Sequence, residues 1–388
     1  MLERALRIEQ QLVSWRRDFH RRPELGFREV RTSKRVADEL TRLGYRVRTG
    51  VGRTGVVAEL GSGRPVVAVR ADMDGLPIQE AADRPYASQE PGLMHACGHD
   101  AHVAIALGVA TLLAEESLPG TVRFLFQPSE EAADDEGRTG ASRIIEDGAM
   151  DGVDAVIALH ISPMVAVGDI VVDAGPFFAG VDSFSAKIMG QGGHGAMPHT
   201  VIDPIYLSGH AILAVHGIIS RRLDPTVPAV LGICTIHAGT AANIVPEEVE
   251  LSGTIRFMRP EVREQLHREL DRALQVTRTL GGDYRLSIEP GCLPVENDAG
   301  VVATIQEVGA EILGQEHVLK PDRLEMGSED FSLLSDIAPG AIFWLGCRIE
   351  GDERRLHSPA MDIDERCLPL GTSILAQSVL RLFDRSAG

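Results

Sequence analysis

The feature that most constrains the fold is a change of hydrophobic periodicity along the chain. Up to about residue 182, apolar runs such as "GVVAEL" and "PVVAVRADMD" alternate with helical patterns such as "AHVAIALGVATLLAEE". This alternation predicts an α/β sheet with helices on its faces. Between residues 183 and 297, "DSFSAKIMG", "AVLGICTIHAG" and "EEVELSGTIRF" instead show the period-two pattern of antiparallel strands, with helices expected at 203–221 and 260–280.

The α/β pattern returns near residue 298, where a helix is expected at 299–313 and the strand "AIFWLGC" follows it. A chain of 388 residues is also longer than one ordinary core accommodates. We therefore expect an α/β domain formed by residues 1–182 and 298–388. A smaller α+β domain, residues 183–297, is expected to interrupt it.

Charge and composition exclude several classes of function. The formal net charge of -18 disfavours nucleic acid and anionic membranes as partners, because both bind basic surfaces. Residues 1–27 predict an amphipathic helix and not a secretory signal, and no apolar run approaches the ~18 residues that a membrane span needs. Five scattered cysteines fit a reducing compartment better than a disulfide framework, so we expect a cytoplasmic protein.

Side chains of the types that bind metal ions recur where predicted strands end. In open α/β sheets, functional groups gather beyond the carboxyl ends of strands, so this placement is informative. One of them, His160, is expected to close the strand "DAVIAL", and the "ACGH" loop directly precedes a helix. The residues placed in this way are Asp72, Asp74, Cys97, His99, Glu130, Glu131, His160 and His357.

The donor types indicate a metal centre with a carboxylate base beside it. A thiolate and imidazoles favour zinc, whereas carboxylates favour manganese. Successive side chains of an extended segment diverge, so Glu130 and Glu131 cannot both face one metal ion. One can bind the ion while the other takes a proton from the bound water, which is the usual way to attack an amide at neutral pH.

A nucleophilic Cys97 is the functional alternative, and a buried structural thiol is the other. A nucleophile would need a base, His95 or His99, and a partner that orients this base. Such a mechanism leaves four residues at strand ends without a function: Glu130, Glu131, His160 and His357.

Taken together, eight motifs resemble those of the M20 metallopeptidase family: "RADMDGLP", "MHACGHDAH", "FQPSEE", "ALHISP", "GGHGAMPH", "AANIVPEEVELSGTIR", "GSEDFS" and "LHSPAMDIDE". They are most similar to the amidohydrolase subgroup, which contains hippurate hydrolases, N-acyl-amino-acid amidohydrolases and plant auxin-conjugate hydrolases. The matching segments run in order from about residue 15 to 365, nearly the whole chain.

The resemblance implies a catalytic α/β domain with two adjacent divalent metal ions, interrupted by a lid domain that also mediates dimerisation. Mn²⁺ or Zn²⁺ is expected, with Co²⁺ or Ni²⁺ as alternatives. Carried over by position, Glu130 is the general base and later the proton donor to the leaving amine. The implied metal ligands are Cys97, His99, Glu131, His160 and His357.

The chain departs from the wider family at the pair Asp72 and Asp74. Other M20 peptidases have a metal-binding histidine at the first of these positions and a supporting aspartate at the second. Here the cysteine and histidine of "ACGHD" take over the ligand role, as in the amidohydrolase subgroup. Asp74 is therefore interpreted as orienting a metal-bound imidazole. Asp72 stays open between a structural and an orienting role.

In the lid domain, the resemblance assigns functions to four residues. His194 polarises the scissile carbonyl, often in the partner subunit's site, and stabilises the oxyanion. Asn243 and Arg256 clamp the substrate carboxylate, a task suited to the planar fork of arginine. His237 is expected to line the same cleft. Without the resemblance, His194 reads equally well as an incidental turn residue and Arg256 as an exposed arginine in a salt bridge.

The remaining polar residues near these motifs have less definite roles. Asp100 begins a predicted helix and is expected to cap it. His102 is interpreted as a packing or orienting residue, and His95 is left open. Residues 326–328 resemble a loop near the metals, while Glu329 and Asp330 are orienting or helix-capping acids.

The expected function is hydrolysis of small N-acyl amino acids (N-acetyl, N-benzoyl or similar) by a metal-activated water with Glu130 as the base. A homodimer or a dimer-based tetramer is expected. The nearest alternative is a metallo-exopeptidase that cleaves dipeptides, which would need an acidic group to bind the free amino group of the substrate. A non-catalytic amino-acid-binding relative is the other, but Glu130 stands beside all five implied ligands, which argues against it.

Overall fold

The computed structural model describes residues 1–81 and 84–386. The chain divides into two compact units. Unit 1 consists of Met1–Gly175, Glu296–Asp322 and Asp330–Gly388, and unit 2 consists of Pro176–Val295 and Arg323–Glu329. The sequence pattern placed the divisions at 182 and 297, and it does not indicate that 323–329 belongs with unit 2.

Unit 1 is built on an eight-stranded mixed sheet with the order β1-β2-β4-β3-β5-β16-β6-β15. Its strands are β1 (Arg46–Val51), β2 (Gly55–Gly61), β3 (Val66–Asp72), β4 (Thr121–Gln127), β5 (Ala155–Ala166), β6 (Ile170–Val171), β15 (Val318–Leu319) and β16 (Gly340–Arg348). The central strands β4, β3, β5 and β16 run parallel, whereas β1 and β2 extend the sheet in antiparallel fashion. Parallel strands are usually covered on both faces, and every residue of β3 is buried.

The helices of unit 1 cover this sheet. They are α1 (Leu2–Arg7), α2 (Glu9–His20), α3 (Val30–Arg42), α4 (His99–Leu113), α5 (Gly140–Glu146), α9 (Ala299–Leu313), α10 (Phe331–Ser335) and α11 (Cys367–Ser386), with a 3₁₀ turn at Gln315–His317. All residues of α4 except Thr111 are buried, because its small apolar side chains let neighbouring helices approach closely. At Gly108, a Cβ atom would lie 2.5 Å from Leu12 of α2 and 2.8 Å from Thr372 of α11. Within the described ranges, no helix has both the length and the apolar character needed to cross a membrane.

Unit 2 is an antiparallel sheet with helices on one face. Its strand order is β10-β12-β8-β13. The elements are β8 (Gly180–Met189), β10 (Ala229–Ala238), β12 (Glu248–Phe257), β13 (Asp283–Pro290), α6 (Pro204–Arg222), α7 (Pro260–Leu274) and α8 (Val276–Thr279), with a 3₁₀ turn at Pro198–Thr200. Alternate residues of β12, from Val249 to Phe257, are buried in one core with α6 and α7, as its period-two pattern predicts. Two short sheets pair β9 (Gly193–His194) with β11 (Ile244–Val245), and β7 (Gly175–Phe178) with β14 (Val295–Asn297).

Three local predictions from the sequence are wrong. The N-terminal helix is two helices separated at Ile8, and the helix expected at 260–280 is broken at Gln275. His160 does not close its strand, because β5 continues to Ala166. His160 nevertheless lies beyond the part of β5 that pairs with β3, because that pairing ends at Ala158.

Candidate metal centre

The metal-ligand types predicted in unit 1 meet in overlapping groups. In each group, one nitrogen, sulfur or oxygen atom per residue lies within 4.8 Å of the others. Three of the groups are Cys97 with His99 and His160, Cys97 with Glu131 and His357, and His99 with Glu130 and Glu131. Cys97 belongs to two of them, so the overlapping donor groups would suit two neighbouring cations. The structure thus brings together all five predicted ligands and the predicted base.

A left-handed glycine positions the cysteine and the first histidine. Gly98 has φ +87° and precedes α4, so the chain turns sharply between Cys97 and the helix that starts at His99. A Cβ atom on Gly98 would lie 2.1 Å from Cδ1 of Ile161. Only glycine satisfies both the backbone angle and this close approach to β5.

His99 is oriented as a ligand of a cation. Its Nδ1 lies 3.1 Å from Oδ1 of Asp74. Its buried Nε2 has no hydrogen-bond partner among the described residues and lies 3.6 Å from Oδ2 of Asp72. Burial lowers the pKa of His99, but the carboxylates of Asp72 and Asp74 outweigh burial and raise it to about 10. The charges around Nε2 therefore favour a positive partner, as a metal site with a supporting carboxylate requires.

Asp72 and His102 form a buried network that fixes the backbone beside His160. Nδ1 of His102 lies 2.6 Å from Oδ1 of Asp72, and Nε2 accepts a hydrogen bond from the backbone nitrogen of Ile161 at 3.0 Å. The proton of neutral His102 must therefore be on Nδ1, donated to Asp72. Burial raises the pKa of Asp72, but Arg70, whose Nη1 is 2.6 Å from Oδ2, holds it well below its usual range. Asp72 and His102 thus hold each other and the backbone of Ile161, and Nε2 of His102 is already used by that hydrogen bond.

His160 presents a neutral nitrogen to the cysteine. Its Nδ1 donates to the carbonyl oxygen of Ile161 at 2.8 Å, which leaves Nε2 unprotonated and 3.4 Å from Sγ of Cys97. The ring packs edge-on against Trp344, with centroids 4.9 Å apart. Burial lowers the pKa of His160 well below its usual value, so the imidazole stays neutral, as a metal ligand must be.

The surroundings of Cys97 argue against a free nucleophile. Burial, followed by the carboxylates of Glu131 and Glu130, raises the pKa of the thiol well above its usual value. A nucleophilic cysteine needs the opposite, a positive environment that lowers the pKa. A divalent cation bound at the same position would reverse this balance, because a coordinating thiol is deprotonated.

His357 and Glu131 complete the cluster from two loops. Nε2 of His357 lies 2.9 Å from Oε1 of Glu131. The backbone of His357 has φ +59°, an unfavourable value for a histidine, and its nitrogen donates to the carbonyl oxygen of Ala96 at 2.8 Å. The loop conformation thus ties the last predicted ligand directly to the segment that carries Cys97.

Asp100 does not cap α4, contrary to the prediction. The N-cap residue is Gly98, without a side-chain cap, and Oδ2 of Asp100 instead lies 2.8 Å from both Nδ1 of His20 and Nε of Arg16. Arg16 also contacts Oδ1 of Asp362 at 2.9 Å. One buried guanidinium therefore links the start of α4 to the segment that follows His357.

Of the predicted residues of unit 2, His194, His237 and Asn243 are exposed and Arg256 is half-buried. His194 of β9 pairs with Ile244 of β11, and the nitrogen of Gly195 donates to the carbonyl oxygen of Asn243 at 2.9 Å, so His194 and Asn243 lie on adjacent segments. Nδ1 of His194 accepts a hydrogen bond from the nitrogen of Ala196 at 3.1 Å. In the neutral ring the proton is therefore on Nε2, which is free to donate to a substrate oxygen.

His237 and Arg256 do not form one cleft within a single copy. Both lie on the open face of the unit 2 sheet, where His237 is opposite Glu250 and Nη1 of Arg256 donates to the carbonyl oxygen of Met326 at 2.9 Å. Glu250 and Arg256 are six positions apart along β12, which corresponds to about 20 Å. A small carboxylate cannot contact both residues of one chain.

Comparison with known proteins places these observations in a family. Residues 68–381 match the model of peptidase family M20/M25/M40. An N-acetyl-L-cysteine deacetylase of Bacillus subtilis is 38% identical over 97% of this chain and 89% of its own length. Thermostable carboxypeptidase 2 of Saccharolobus solfataricus is 39% identical over 97% and 95%. The crystal structure of a dinuclear metal binding peptidase from the M20 family of B. subtilis has a TM-score of 0.83 and 34% identity, covering 97% of this chain and 99% of that chain.

Proposed function

This chain belongs to peptidase family M20/M25/M40, and on that premise we propose that it is a metal-dependent amidohydrolase of N-acyl amino acids. The observation that carries the proposal is the overlap of the ligand groups at Cys97, with Glu130 reaching the same cluster through His99 and Glu131. The similarity to a deacetylase favours an acylated amino acid as the substrate.

We propose that two divalent metal ions bind this cluster, Mn²⁺ or Zn²⁺, with Co²⁺ or Ni²⁺ as alternatives. When bound, such ions polarise an amide carbonyl and lower the pKa of an attacking water. The buried Nε2 of His99, which has no hydrogen-bond partner in the described part of the chain, and the mixed thiolate, imidazole and carboxylate donors support this assignment. The proposed ligands are Cys97, His99, Glu131, His160 and His357.

Glu130 is the proposed general base. It is half-buried and next to a ligand, so it is close to the attacking water without being required to bind an ion itself. It takes a proton from that water as the oxygen attacks the acyl carbon, and it delivers the proton to the nitrogen as the carbon–nitrogen bond breaks. A positioned base of this kind contributes about 10²–10⁴-fold to the rate.

His194, Asn243 and Arg256 are the proposed substrate contacts of unit 2. Nε2 of His194 donates a hydrogen bond to the carbonyl oxygen as negative charge develops there. Asn243, which lies on the segment adjacent to His194, contacts the substrate carboxylate together with Arg256. Arg256 pairs with the substrate carboxylate through its planar fork. His237 can join this set only from a different copy of the chain, because it lies at the other end of the sheet.

We further propose a homodimer, or a tetramer built from dimers, in which unit 2 provides the contact. Residues 234–238 of the edge strand β10 are all exposed, including Ile236 at 52%. Helix α6 of the same unit exposes Tyr206 at 58% and Leu213 at 74%. An unpaired strand edge and exposed apolar side chains are features that a second copy covers in symmetric dimers.

The proposed compartment is the cytoplasm. All five cysteines are free thiols, and three of them, Cys97, Cys347 and Cys367, are buried. Unpaired cysteines fit a reducing compartment better than an oxidising one.

The dipeptide-cleaving exopeptidase is the second candidate, and the similarity to a carboxypeptidase is the observation that favours it. A comparison of one N-acetyl amino acid with a free dipeptide of the same C-terminal residue separates the two. We expect the metal-loaded protein to hydrolyse the acetylated substrate with the larger kcat/KM. A preference for the dipeptide would replace the proposal with the exopeptidase function.

The base is tested with the variant Glu130→Gln, and the matched control is E136Q, the same change at an exposed position of the same loop. We expect E130Q to bind metal as the wild type does but to lose about 10³-fold in kcat. E136Q should retain full activity. Unchanged turnover by E130Q would remove Glu130 from the mechanism. Tight binding of acyl amino acids by the wild type without any turnover would support the non-catalytic alternative.

A further inference from the structure

We propose that Glu29 is a positioning residue. Its side chain accepts a hydrogen bond from the backbone of Ser129 and thereby fixes the loop that carries Glu130 and Glu131. The inference rests on the proposed function, because it concerns where the proposed base and ligand are held. Glu29 lies about 100 positions before this loop in the sequence, and no motif in the sequence connects the two.

The contacts of Glu29 are directed at the loop. Its side chain is fully buried, and Oε1 accepts a hydrogen bond from the backbone nitrogen of Ser129 at 2.8 Å. Oε2 accepts from Oγ1 of Thr54 at 2.5 Å. Both carboxylate oxygens are thus used, one by the residue immediately before Glu130 and the other by the β1–β2 turn.

The loop needs such a contact because its conformation is unfavourable by itself. Ser129 has φ +42°, in the left-handed region that non-glycine residues rarely adopt. Its Oγ donates to the carbonyl oxygen of Ala132 at 2.7 Å, and its own carbonyl accepts from Gly140 at 2.8 Å. On the other side Gly26 is so close that a Cβ there would lie 2.1 Å from the Ser129 hydroxyl. The surrounding chain therefore holds this backbone from several directions.

A simple capping role does not account for Glu29. It occupies the N-cap position of α3, but its side chain makes no cap hydrogen bond, since it points to Ser129 and Thr54 instead. Among the described residues, no lysine, arginine or histidine forms an ion pair with it. A buried carboxylate without a cation is unfavourable, and burial raises its pKa to about 7. Since neither a helix cap nor an ion pair accounts for this buried side chain, we assign it to holding the loop at Ser129.

Two substitutions of Glu29 separate the effect of side-chain length from the effect of charge. In Glu29→Gln, the amide oxygen still accepts from Ser129 while the amide nitrogen can donate to Thr54, so the length is kept and the charge is lost. In Glu29→Asp, the charge is kept but the acceptor is withdrawn by one carbon–carbon bond, about 1.5 Å. Aspartate is also a better N-cap residue than glutamate, so E29D should not destabilise α3. The control is E39D, the same change on a mostly buried residue of α3 whose partners are Arg35 and Arg42.

The experiment measures kcat and KM for an N-acetyl amino acid, the visible spectrum of the Co²⁺-loaded protein, and thermal unfolding. We expect E29D to lose at least 30-fold in kcat with KM within threefold of wild type, and to show a changed Co²⁺ spectrum. Its unfolding temperature should fall by only a few degrees and stay well above the assay temperature, because one buried N–H loses its acceptor. E29Q and E39D should stay within threefold of wild type, with the wild-type spectrum.

The inference is overturned if E29D keeps the wild-type kcat and spectrum, if E29Q loses as much as E29D, or if E39D behaves like E29D. The Co²⁺ spectrum reports the position of the loop without turnover. A wild-type protein that hydrolyses no acyl amino acid would therefore end the proposed function, while the spectra of E29D and E29Q would still decide the role of Glu29.

Discussion

His99 of unit 1 and His194 of unit 2 are both proposed to act on one reaction, yet their surroundings differ. His99 is fully buried, with Nδ1 on Asp74 and carboxylates around Nε2. His194 is exposed, and its ring accepts a hydrogen bond from the adjacent backbone nitrogen of Ala196. The buried residues are held in place by their own hydrogen bonds around the proposed cation position, whereas the exposed ones are proposed to act only when substrate contacts them. Variants of the two sets should therefore fail in different ways.

Among the variants that compare the buried and the exposed residues, the largest effect is expected for His194→Ala. Loss of a donor to a developing oxyanion typically costs about 10²–10³-fold in kcat. The metal content should not change, because His194 belongs to the exposed set. Activity and metal content measured on the same sample check this, with H317A as a control at a half-exposed histidine bonded to Asp169. Loss of metal from H194A would contradict the distinction between the two sets.

A smaller effect, in metal affinity and not directly in turnover, is expected for Asp74→Asn. The carboxylate orients His99 and also accepts from the backbone nitrogen of Glu131 at 3.1 Å. Removing a supporting carboxylate of this kind usually weakens metal binding by about 10–100-fold. Titration with Zn²⁺ under competition from a chelator measures the change. The control is D298N, since asparagine can still cap α9 at that position.

Activity of D74N should largely return at saturating metal, whereas that of H194A should not. If D74N binds metal as tightly as the wild type, metal binding does not depend on this carboxylate. The proposed role of the buried residues of unit 1 in holding the metal would then be contradicted.

The sequence predicts the two units and the candidate ligand residues better than it predicts the buried contacts that hold those residues in place. Periodicity separates the α/β unit from the antiparallel one, and placement at predicted strand ends identifies the residues that meet around Cys97, although His160 lies inside β5 and not at its end. The buried ion pairs that support them were not predicted, because their partners are far apart in the chain. Arg70 and Asp330 are separated by 260 positions, and Arg16 and Asp362 by 346.

A sequence signal did exist for one of these pairs. Arg70 interrupts the apolar run "VVAVRAD", and an arginine in a buried strand requires a carboxylate or several acceptors. For Asp100 the signal pointed the wrong way. An aspartate at the start of a helix is typical of a cap, and only the fold places Arg16 and His20 against it.

Two buried carboxylates extend the comparison to pH. In unit 1, burial raises the pKa of Glu29 to about 7, and Thr54 and Ser129 are its partners. In unit 2, burial also raises the pKa of Asp182, but a bidentate contact with Arg263, at 2.7 and 2.8 Å, contributes most to lowering it below its usual value. The two groups therefore change protein stability in opposite directions.

Between pH 5 and 7 the folded state keeps the proton of Glu29 that the unfolded state releases near its ordinary pKa. The free energy of unfolding of wild type, relative to E29Q, should therefore fall by roughly 1–2 kcal/mol as the pH rises through this window. For Asp182 the stabilisation is present above its unfolded pKa and is lost as the pH falls through the lower folded pKa. Wild type should lose stability relative to D182N only below about pH 4. Denaturant unfolding of wild type, E29Q and D182N from pH 3 to 8 tests both predictions. If the free energy of unfolding of each variant follows that of wild type in parallel over this range, both are contradicted.

The smallest effects distinguish the two predicted contacts on the open sheet face of unit 2. Arg256→Lys keeps the charge but loses the planar fork, so KM for an acyl amino acid should rise about 5–10-fold, equivalent to roughly 1 kcal/mol, with kcat little changed. His237→Ala should leave KM within twofold, because His237 lies about 20 Å from Arg256 along the strands of one copy. Steady-state kinetics on the free-acid substrate and on its methyl ester decide the matter, since the ester removes the carboxylate that Arg256 is proposed to bind. If R256K raises KM for the ester as much as for the free acid, Arg256 does not bind the substrate carboxylate. A large KM effect of H237A would instead mean that a second copy brings His237 to the substrate.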